Sequence, residues 1–492
     1  MLFHSYIFIL LFLPIAVAGY YGMNKTGKYK LGLLWLIGMS CWFYGAFSVK
    51  YLLLFLCSIG INQAGVRWMG KISSSSRKRL LLISIVLFDI GLLVYYKYSN
   101  FFIENLNAVC KTDLELLQLG LPVGISFYTF RQLAYVADCY REEAEPYPFL
   151  EYMAYALFFP LIIQGPIASH DKVIAQFRDE KRKKVNYVNL SKGIYAFARG
   201  MAKKVLLADT LAPIADLVFP RPYAYDTGSI FIAMLCYTLQ IYFDFSGYCD
   251  MAYGIGQMFG IELPFNFYSP YKAESISDFW DRWHITLTKF FTKYIYIPLG
   301  GSRKGKIRTY LNTLFVFFIS GLWHGANWTF VLWGILNGVL MVLERIFKSA
   351  LQKIPKAVRR GVTFIIVVFL WSIFRVPEVA HEKLLLKQIG QWQFGPVNQT
   401  FVEYFNELTE VRLLGRLGIQ GIIDAYPAVL LLAFLAVLLL AVWFFKNTEE
   451  QTAALQFENT KRYGWKMAEA VLLLTWSILS LSNISEFIYF NF

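Results

Sequence analysis

Residues 310–343 read YLNTLFVFFISGLWHGANWTFVLWGILNGVLMVL and contain no Asp, Glu, Lys or Arg. Two apolar runs, Tyr310–Leu322 and Trp328–Leu343, are separated by a short stretch that includes His324. Runs of this kind are typical of helices that enter the hydrocarbon core of a bilayer, which about 20 apolar residues cross. The stretch therefore predicts two membrane helices joined next to a histidine.

The composition extends this prediction to the whole chain. Of its 492 residues, 57% are hydrophobic and 16% are charged, whereas soluble domains contain about 25% charged residues. This excludes an ordinary water-soluble enzyme and predicts an all-α, multi-pass membrane protein. The net charge of +14 does not indicate nucleic-acid binding, because the cations lie in short loops beside apolar runs, where they set topology.

We predict one membrane domain, 1–492, with a core at about 119–345 and C-terminal helices at 361–492. It should contain about 11–12 transmembrane helices together with re-entrant or amphipathic segments. The first span is expected to be an uncleaved helix and not a signal peptide, because no basic residue precedes it. The predicted spans are Phe3–Tyr21, Leu31–Phe47, Tyr51–Gly65, Leu80–Tyr98, Leu119–Ala137, Phe149–Ile167, Ile230–Phe245, Tyr310–Leu322, Trp328–Leu343, Thr363–Phe374, Ala428–Phe445 and Ala468–Leu481.

The charges of the connecting loops predict the orientation. Asn100–Gln118 is mostly acidic and Pro377–Tyr426 is mixed, whereas the basic loops are Met23–Lys30, Arg67–Arg79, Lys172–Lys184, Arg303–Arg308 and Arg345–Arg360. Lys and Arg accumulate in cytoplasmic loops, so the basic loops should face the cytoplasm and the other two the exterior.

If every predicted span crosses the membrane completely, some loops in the second half of the chain lie on the side opposite to the one that their charges predict. At least one segment should therefore enter the membrane and return on the same side. The two candidates are Phe149–Ile167 and Phe279–Leu299.

Two of the five histidines lie in apolar, aromatic segments. His324 lies between Gly321 and Gly325, and His284 follows Asp281 and Arg282. An ionisable group at membrane depth is costly and is a functional candidate by default. The alternatives are a neutral imidazole bonded to a neighbouring helix for His324 and a salt-bridged interfacial helix for His284. The other three, His4, His170 and His381, are expected to be solvated or interfacial.

Gln240 and Asp244 lie one turn apart on one predicted helix face. Asp244 needs a partner there, and it is expected either to orient a catalytic histidine or to make a structural bond to a Tyr or Arg. No metal site is indicated, because no motif has the spacing of metal ligands. A P-loop and a GxSxG elbow are also missing, which excludes an ABC-type ATPase and weakens a serine acyl-enzyme. The six cysteines are predicted to be mostly buried free thiols.

Five ordered motifs surround the two histidines and resemble the membrane-bound O-acyltransferase family, in particular its bacterial branch that acetylates alginate. Further matches at the start of the chain, near residues 121 and 159, and at its end extend the resemblance over nearly the whole sequence. The five motifs are Tyr242-Phe-Asp-Phe-Ser-Gly-Tyr, Asn266-Phe-Tyr-Ser-Pro-Tyr, Asp278-Phe-Trp-Asp-Arg-Trp-His, Tyr296-Ile-Pro-Leu-Gly-Gly and Ser320-Gly-Leu-Trp-His-Gly-Ala-Asn-Trp.

The resemblance implies a helical bundle around a central tunnel, with His324 at the family's invariant histidine position and His284 at its second histidine or asparagine position. The expected catalytic residues are His324 and His284; the expected tunnel or supporting residues are Trp323, Asn327, Asp244, Gln240, Arg282 and Trp283. Where this branch usually has a basic residue, the chain has Asp281, which puts in doubt a role for that position in binding an anionic donor.

The resemblance also implies an activity: transfer of an acyl group, expected to be acetyl, from a cytoplasmic thioester to a hydroxyl for O-acetylation of an extracellular or cell-wall polysaccharide. No bound cofactor is expected; the donor would be acetyl-CoA or an acyl carrier protein thioester. Expected partners are membrane lipids, the donor or its carrier protein, the polysaccharide and an extracytoplasmic partner acyltransferase. The expected location is the bacterial cytoplasmic membrane.

Several alternatives stay open at this stage. They are D-alanyl transfer to teichoic acid, a non-catalytic acyl or lipid transporter, and an assembly scaffold. A transporter would more often show repeated halves with helix breaks in matching positions. The polymer, and whether the acyl group reaches it directly or through a serine of the partner, are not determined by the sequence.

Sidedness can be measured with single cysteines at Ser75 and Asn398 in a cysteine-free background. An impermeant maleimide added to intact cells should label residue 398 and not residue 75, because Ser75 lies in a basic loop and Asn398 in the mixed one. Labelling of both positions after membrane permeabilisation is the control. The opposite pattern would invert the predicted topology.

Overall fold

The computed structural model describes residues 1–455, 460–481 and 487–488, and over these ranges it is helical and contains no strand. A single isolated antiparallel bridge joins Phe267 to Trp283. The predicted all-α class is confirmed.

The N-terminal part packs around a cluster of aromatic rings. Phe3, Phe8, Phe43 and Phe159 lie with ring centroids 4.9–6.4 Å apart. Its helices are the π-helix Phe8–Phe12 and α1 (Leu13–Asn24), α2 (Tyr29–Gly45), α3 (Val49–Met69), α4 (Ser75–Cys110), α5 (Ile125–Tyr140), α6 (Phe149–Ala156), α7 (Phe159–Ile162) and α8 (His170–Arg178).

The middle part contains the two candidate histidines. Its α-helices are α9 (Tyr187–Ala202), α10 (Asp209–Val218), α11 (Thr227–Met258), α12 (Ile276–Arg282), α13 (Ile285–Phe291), α14 (Lys306–His324) and α15 (Trp328–Ile346). Two π-helical turns, Lys203–Ala208 and Thr292–Tyr296, and three 3₁₀ turns, Glu180–Lys183, Pro222–Ala224 and Pro270–Lys272, connect them.

Besides the N-terminal cluster the molecule has a second hydrophobic core, to which residues of α11 and α15 contribute. Most of the C-terminal part packs against this core. Its helices are α16 (Lys348–Leu351), α17 (Lys356–Arg375), α18 (Val379–Gly390), α19 (Gln399–Asn406), α20 (Thr409–Leu414), the π-helix Gly415–Ile419, α21 (Gln420–Ala425), α22 (Val429–Phe444), α23 (Thr448–Ala453) and α24 (Thr460–Leu479).

Every predicted span except Phe149–Ile167 coincides with a helix. Five helices of the described residues are long and apolar enough to cross a membrane by themselves, namely α3, α4, α11, α15 and α17. A sixth is obtained if Thr409–Ala425 and Val429–Phe444, which are bent by 103°, form one span. The remaining predicted spans are shorter or more charged, so fewer helices meet this criterion than the 11–12 or so predicted.

Both stretches proposed as re-entrant are broken. Phe149–Ile167 forms the short helices α6 and α7 and leaves helical structure after Ile162. In Phe279–Leu299 the break falls between α12 and α13, where His284 has the left-handed backbone angles φ 46° and ψ 50°.

Helix α9 was not predicted from the sequence, although it packs along α11. Glycines on both helices permit the contact: a Cβ on Gly193 would lie 2.6 Å from the carbonyl oxygen of Gly254, and one on Gly247 would lie 2.8 Å from that of Gly200. Small residues allow two membrane helices to touch backbone to backbone. Hydropathy missed α9 because Lys192 and Arg199 interrupt its apolar sequence and Lys203 and Lys204 follow directly.

A buried ion pair joins these elements. Lys204 Nζ lies 2.7 Å from the carboxylate of Asp244 and 2.9 Å from that of Asp209. The other carboxylate oxygen of Asp244 accepts a hydrogen bond from the backbone amide of Ile488 at 3.1 Å. Asp244 thus ties α11 to the turn after α9 and to the C-terminal end of the chain.

Replacing Asp244 by Asn should destabilise the protein by about 3 kcal/mol, since removing one partner of a buried pair leaves an uncompensated charge. Because Asp209 still pairs with Lys204 in the variant, the loss of stability should lie near the lower end of the usual range for a broken buried pair. Thermal unfolding in detergent measures it. The control Glu142→Gln breaks the exposed pair with Lys78 and should leave the midpoint unchanged. Equal midpoints for both variants would contradict the structural role of Asp244.

Candidate functional site

His324 is the last residue of α14 and its side chain is enclosed by aromatic rings. Ring centroids lie at 4.9 Å for Trp323, 5.1 Å for Trp333 and 5.3 Å for Phe374. Only 3% of the residue is exposed. The imidazole therefore lies in an environment from which bulk water is excluded.

Close packing of α14 on α15 holds the segment around His324. A side chain on Gly321 would collide with the carbonyl of Phe330, and one on Gly334 with the carbonyl of Phe317. Asn327 caps the start of α15: its Oδ1 accepts the amide of Thr329 at 3.0 Å, and its Nδ2 donates to the carbonyl of Pro377 at 2.7 Å. The predicted supporting residue Asn327 thus fixes the loop that follows His324.

His284 has a defined tautomer. Its Nδ1 lies 3.2 Å from Asn266 Oδ1, and this oxygen also accepts the amide of Thr286 at 3.1 Å and its hydroxyl at 2.9 Å. Since a backbone amide can only donate, Oδ1 is the acceptor and Nδ1 of His284 is the donor. In the neutral ring Nε2 then carries the lone pair, and it is buried without a hydrogen-bond partner in the described part of the chain.

Trp323 contacts both histidines. Its ring centroid lies 6.0 Å from that of His284 and 4.9 Å from that of His324. Phe127 contacts the same indole at 5.3 Å. The two imidazoles therefore lie against a common aromatic side chain, as members of one site.

The charged residues predicted to support the site have other partners. Asp244 pairs with Lys204, although its neighbour Phe245 contacts the His284 ring at 4.8 Å. Arg282 lies 2.6 Å from the carboxylate of Asp278. Neither charge is directed at a histidine by these contacts.

Gln240 and Trp283 are buried and carry polar atoms that no described residue satisfies, namely Gln240 Oε1 and Trp283 Nε1. Trp283 packs on Trp371 at 4.8 Å and on Phe267 at 4.9 Å. Buried polar atoms are normally satisfied, so such groups point to water or ligand in the interior.

Two residues near the histidines were missed by the sequence analysis, Asn266 and Lys97. Lys97 donates from Nζ to the carbonyl oxygens of Trp323 at 2.6 Å and His324 at 3.1 Å. A lysine inside the predicted span Leu80–Tyr98 was a detectable signal, because charge at membrane depth is costly. Asn266 begins one of the five motifs, but its bond to His284 comes from packing between distant segments, which the motif does not show.

Two surface cavities flank the site. The first, which we call the Arg375 pocket, has a volume of about 410 Å³ and is lined by Lys97, Gly325, Asn327, Phe374, Arg375 and others. The second, the lysine pocket, has about 300 Å³ and is lined by Lys181, Arg182, Lys184, Lys192, Tyr253, Glu262 and others.

A few side-chain contacts link each cavity to a histidine. Phe374 lines the Arg375 pocket and contacts the His324 ring. Tyr253 lines the lysine pocket and stacks on Phe265 at 4.1 Å. Phe265 precedes Asn266, the residue that holds His284.

The prediction that His4 and His170 are solvated or interfacial was wrong. His4 is buried against the ring of Phe487 at 4.7 Å. His170 Nε2 lies 3.0 Å from Asp138 Oδ2, and its Nδ1 lies 3.0 Å from the Tyr147 hydroxyl. Both lie next to short loops that fold into the core, which position along the chain does not reveal.

The cysteines and carboxylates do not converge. All six cysteines are free; Cys139, Cys236 and Cys249 are buried, but Cys57 and Cys110 are exposed, so only part of the set is buried as predicted. Among the described residues no group of three His, Cys, Asp or Glu side chains is arranged to hold a metal ion.

Comparison with known proteins matches the chain to one family. The model of the membrane-bound O-acyltransferase family matches residues 36–379. A peptidoglycan O-acetyltransferase of Helicobacter pylori is 35% identical over the whole chain and 98% of its own length. A "probable alginate O-acetylase" of Pseudomonas putida is 34% identical over the full length of both. A teichoic acid D-alanyltransferase of Bacillus subtilis is 26% identical over 46% of this chain and 60% of its own length.

Proposed function

The chain belongs to the membrane-bound O-acyltransferase family, and we propose that it transfers an acetyl group from a cytoplasmic thioester across the membrane to a hydroxyl for O-acetylation of an extracellular or cell-wall polysaccharide. It is an acyltransferase and a multi-pass membrane protein. The observation that carries the proposal is the pair of buried histidines, His284 and His324, against the single indole of Trp323.

In the proposed reaction His324 is the general base. A hydroxyl is a poor nucleophile near neutral pH, and an imidazole is suited to take its proton in the transition state. The acceptor oxygen attacks the thioester carbonyl, the carbon–sulfur bond breaks, and the proton passes through His324 to the leaving thiolate. The products are an acetate ester and a free thiol.

His284 supplies a second polar atom to the same space. Asn266 fixes its Nδ1 proton, so the lone pair on Nε2 is available to accept a hydrogen bond from the acceptor hydroxyl. This role needs orientation more than proton transfer. The expected functions of the two histidines therefore differ.

The aromatic enclosure supports a small acyl group. Trp323, Trp333 and Phe374 surround the His324 ring and leave little room for a long chain beside it. Exclusion of water also protects the thioester from hydrolysis.

The lysine pocket supports a phosphate-bearing donor. Lys181, Lys184 and Lys192 make no ion pair within the described ranges, and Glu262 is the acidic residue that lines the pocket. Coenzyme A and the phosphopantetheine arm of a carrier protein both offer phosphate groups next to the thioester arm. The connection through Tyr253 and Phe265 leads from this pocket toward His284.

The Arg375 pocket supports entry of the acceptor at the other side of the site. Its wall includes Gly325, directly after His324. The acceptor is either a sugar hydroxyl of the polysaccharide or a serine of a secreted partner acyltransferase that passes the group on. D-alanyl transfer is less well supported, because teichoic acid D-alanyltransferases match at 23–26% identity over 46–61% of the chain, whereas peptidoglycan and alginate relatives are 34–35% identical over all of it.

Replacing His324 by Ala or Asn should lower acetyl transfer by about 10²–10⁴-fold, the usual contribution of general-base catalysis. His284→Asn should retain more activity than His324→Asn, because an amide can replace a hydrogen bond but cannot accept a proton. Turnover of acetyl thioester by the purified protein and acetylation of polymer in a complemented deletion strain measure both. Size-exclusion profiles in detergent show that the variants fold.

Near wild-type polymer acetylation by His324→Ala would remove His324 from the mechanism. A reversed ranking of the two Asn variants would exchange the two roles.

The combined variant Lys181→Gln, Lys184→Gln and Lys192→Gln should raise the KM for the thioester donor about tenfold, which corresponds to about 1.4 kcal/mol, with kcat unchanged. Salt should weaken donor binding in the wild type and less in the variant, because exposed charges are screened. The control neutralises Lys25, Lys28 and Lys30, which lie outside the pocket. Measurements with acetyl-CoA and with an acetylated carrier protein identify the donor. Equal KM values for variant and control would contradict donor binding at this pocket.

A further inference from the structure

Two consecutive residues of α4 hold the end of α14. Tyr98 donates its hydroxyl to the carbonyl oxygen of Leu322. Lys97 Nζ donates to the carbonyl oxygens of Trp323 and His324 at 2.6 and 3.1 Å. Three successive carbonyls at the terminus that carries His324 are thus bonded to a different helix.

These bonds take the place of the usual C-terminal cap of a helix. The last four carbonyls of an α-helix lack intrahelical partners, and a left-handed residue after the helix commonly lets the chain turn back and satisfy them. Gly325 is instead extended, with φ −169° and ψ 156°. Trp323 and His324 are at most 5% exposed, so bulk water does not replace the missing bonds and α14 depends on α4 at this point.

The charge of Lys97 suits this position. Among the described residues Lys97 has no carboxylate partner in any ion pair; its further contact is Ser126 Oγ at 3.4 Å. A cation near a helix C-terminus interacts favourably with the partial negative charge of the last carbonyls. The lysine also lines the Arg375 pocket, so it lies between the proposed acceptor entrance and the backbone of His324.

Helix α4 makes a further bond beyond the break. Asn105 Oδ1 accepts the indole N–H of Trp328, the first residue of α15, at 2.9 Å. Residues 97 and 105 are about 12 Å apart along the helix axis. One rigid helix therefore holds the chain both before and after the connection that follows His324.

We propose that Lys97, with Tyr98, is a positioning residue for acyl transfer: it holds the C-terminal turn of α14 so that the His324 imidazole stays in its aromatic enclosure at the required position. The proposal rests on the proposed function, in which His324 is the base. Loss of the ammonium leaves two buried carbonyls without donors, and the end of α14 must shift or fray to find others.

The test compares Lys97→Met, Lys97→Arg and Tyr98→Phe in the full-length protein in nanodiscs. Met keeps the length of the side chain but removes the donors, whereas Arg keeps charge and donors. The matched control is Tyr95→Phe, which removes a hydroxyl from the same helix; Tyr95 is 49% exposed and that hydroxyl makes no hydrogen bond to a described residue. The readouts are kcat, the KM for the acetyl thioester, and amide hydrogen exchange of the peptide around residues 318–326.

We expect Lys97→Met to lower kcat about 10²-fold, the effect of misplacing a catalytic group by about 1 Å, with the donor KM changed less than twofold. Exchange around residue 324 should rise. Lys97→Arg should recover kcat to within about tenfold of wild type, Tyr98→Phe should show a smaller loss than Lys97→Met, and the control should match wild type.

Suppose that His324→Ala is inactive but Lys97→Met has the kcat and the hydrogen exchange of the wild type. That result would overturn the positioning role and leave the proposed function intact. A raised KM with unchanged kcat would overturn it too, because Lys97 would then bind substrate. If His324→Ala is itself active, the role of His324 as the base fails, and if the wild-type protein transfers no acetyl group, the proposed function fails. In both cases the exchange measurement still decides whether Lys97 holds the end of α14.

Discussion

The structure around the candidate site depends on one constraint: a helix that ends at membrane depth must find partners for its last carbonyls inside the protein. Helix α14 ends at His324, so this cost falls on the residue with the proposed chemistry. Lys97 and Tyr98 supply these partners, and after the break Asn327 caps the start of α15 and donates to the carbonyl of Pro377. The position at the break matters because an imidazole at a helix end is not confined to the side of the helix and can face a cavity.

His284 shows the same arrangement at the N-terminal end of a helix. It is the residue before α13, with a left-handed backbone, and Asn266 takes three hydrogen bonds from the segment around it. Both histidines thus lie where regular structure is interrupted, and both are held by polar groups from other segments. Trp323 joins the two breaks, so movement of either one would disturb the other. We infer that the site is rigid before substrate binds, as electrostatic stabilisation of a transition state requires.

The sequence predicted most of the helices because apolar runs are a strong local signal, and it identified His284 and His324 because charge at membrane depth is costly. It failed where the decisive contact joins distant residues. The contacts that Asn266 and Lys97 make with the histidine segments arise only when folding brings distant residues together, and Asp244 pairs with Lys204, which lies in the turn after a helix that hydropathy missed. Phe149–Ile167 has the composition of a span, but the chain breaks there around Pro160, which a sum of hydropathies does not register. The positions of the two pockets depend on several helices at once and had no sequence signal beyond the basic run Lys172–Lys184.

The depth of His324 bears on how a cross-membrane transfer can work. Helix α14 starts at Lys306, beside the basic segment Arg303–Arg308, and its 19 residues extend about 28 Å at 1.5 Å per residue. The hydrocarbon core is about 30 Å thick, so on the proposed sidedness His324 lies near the outer face and not at the centre. A hydrophilic polymer then needs only a shallow entrance, such as the Arg375 pocket, and never enters the bilayer. In the proposed reaction the acetyl group makes the passage, attached to a flexible donor arm whose phosphates stay at the lysine pocket on the cytoplasmic side. The proposed mechanism thereby moves the small acetyl group, and not the polymer, through the membrane.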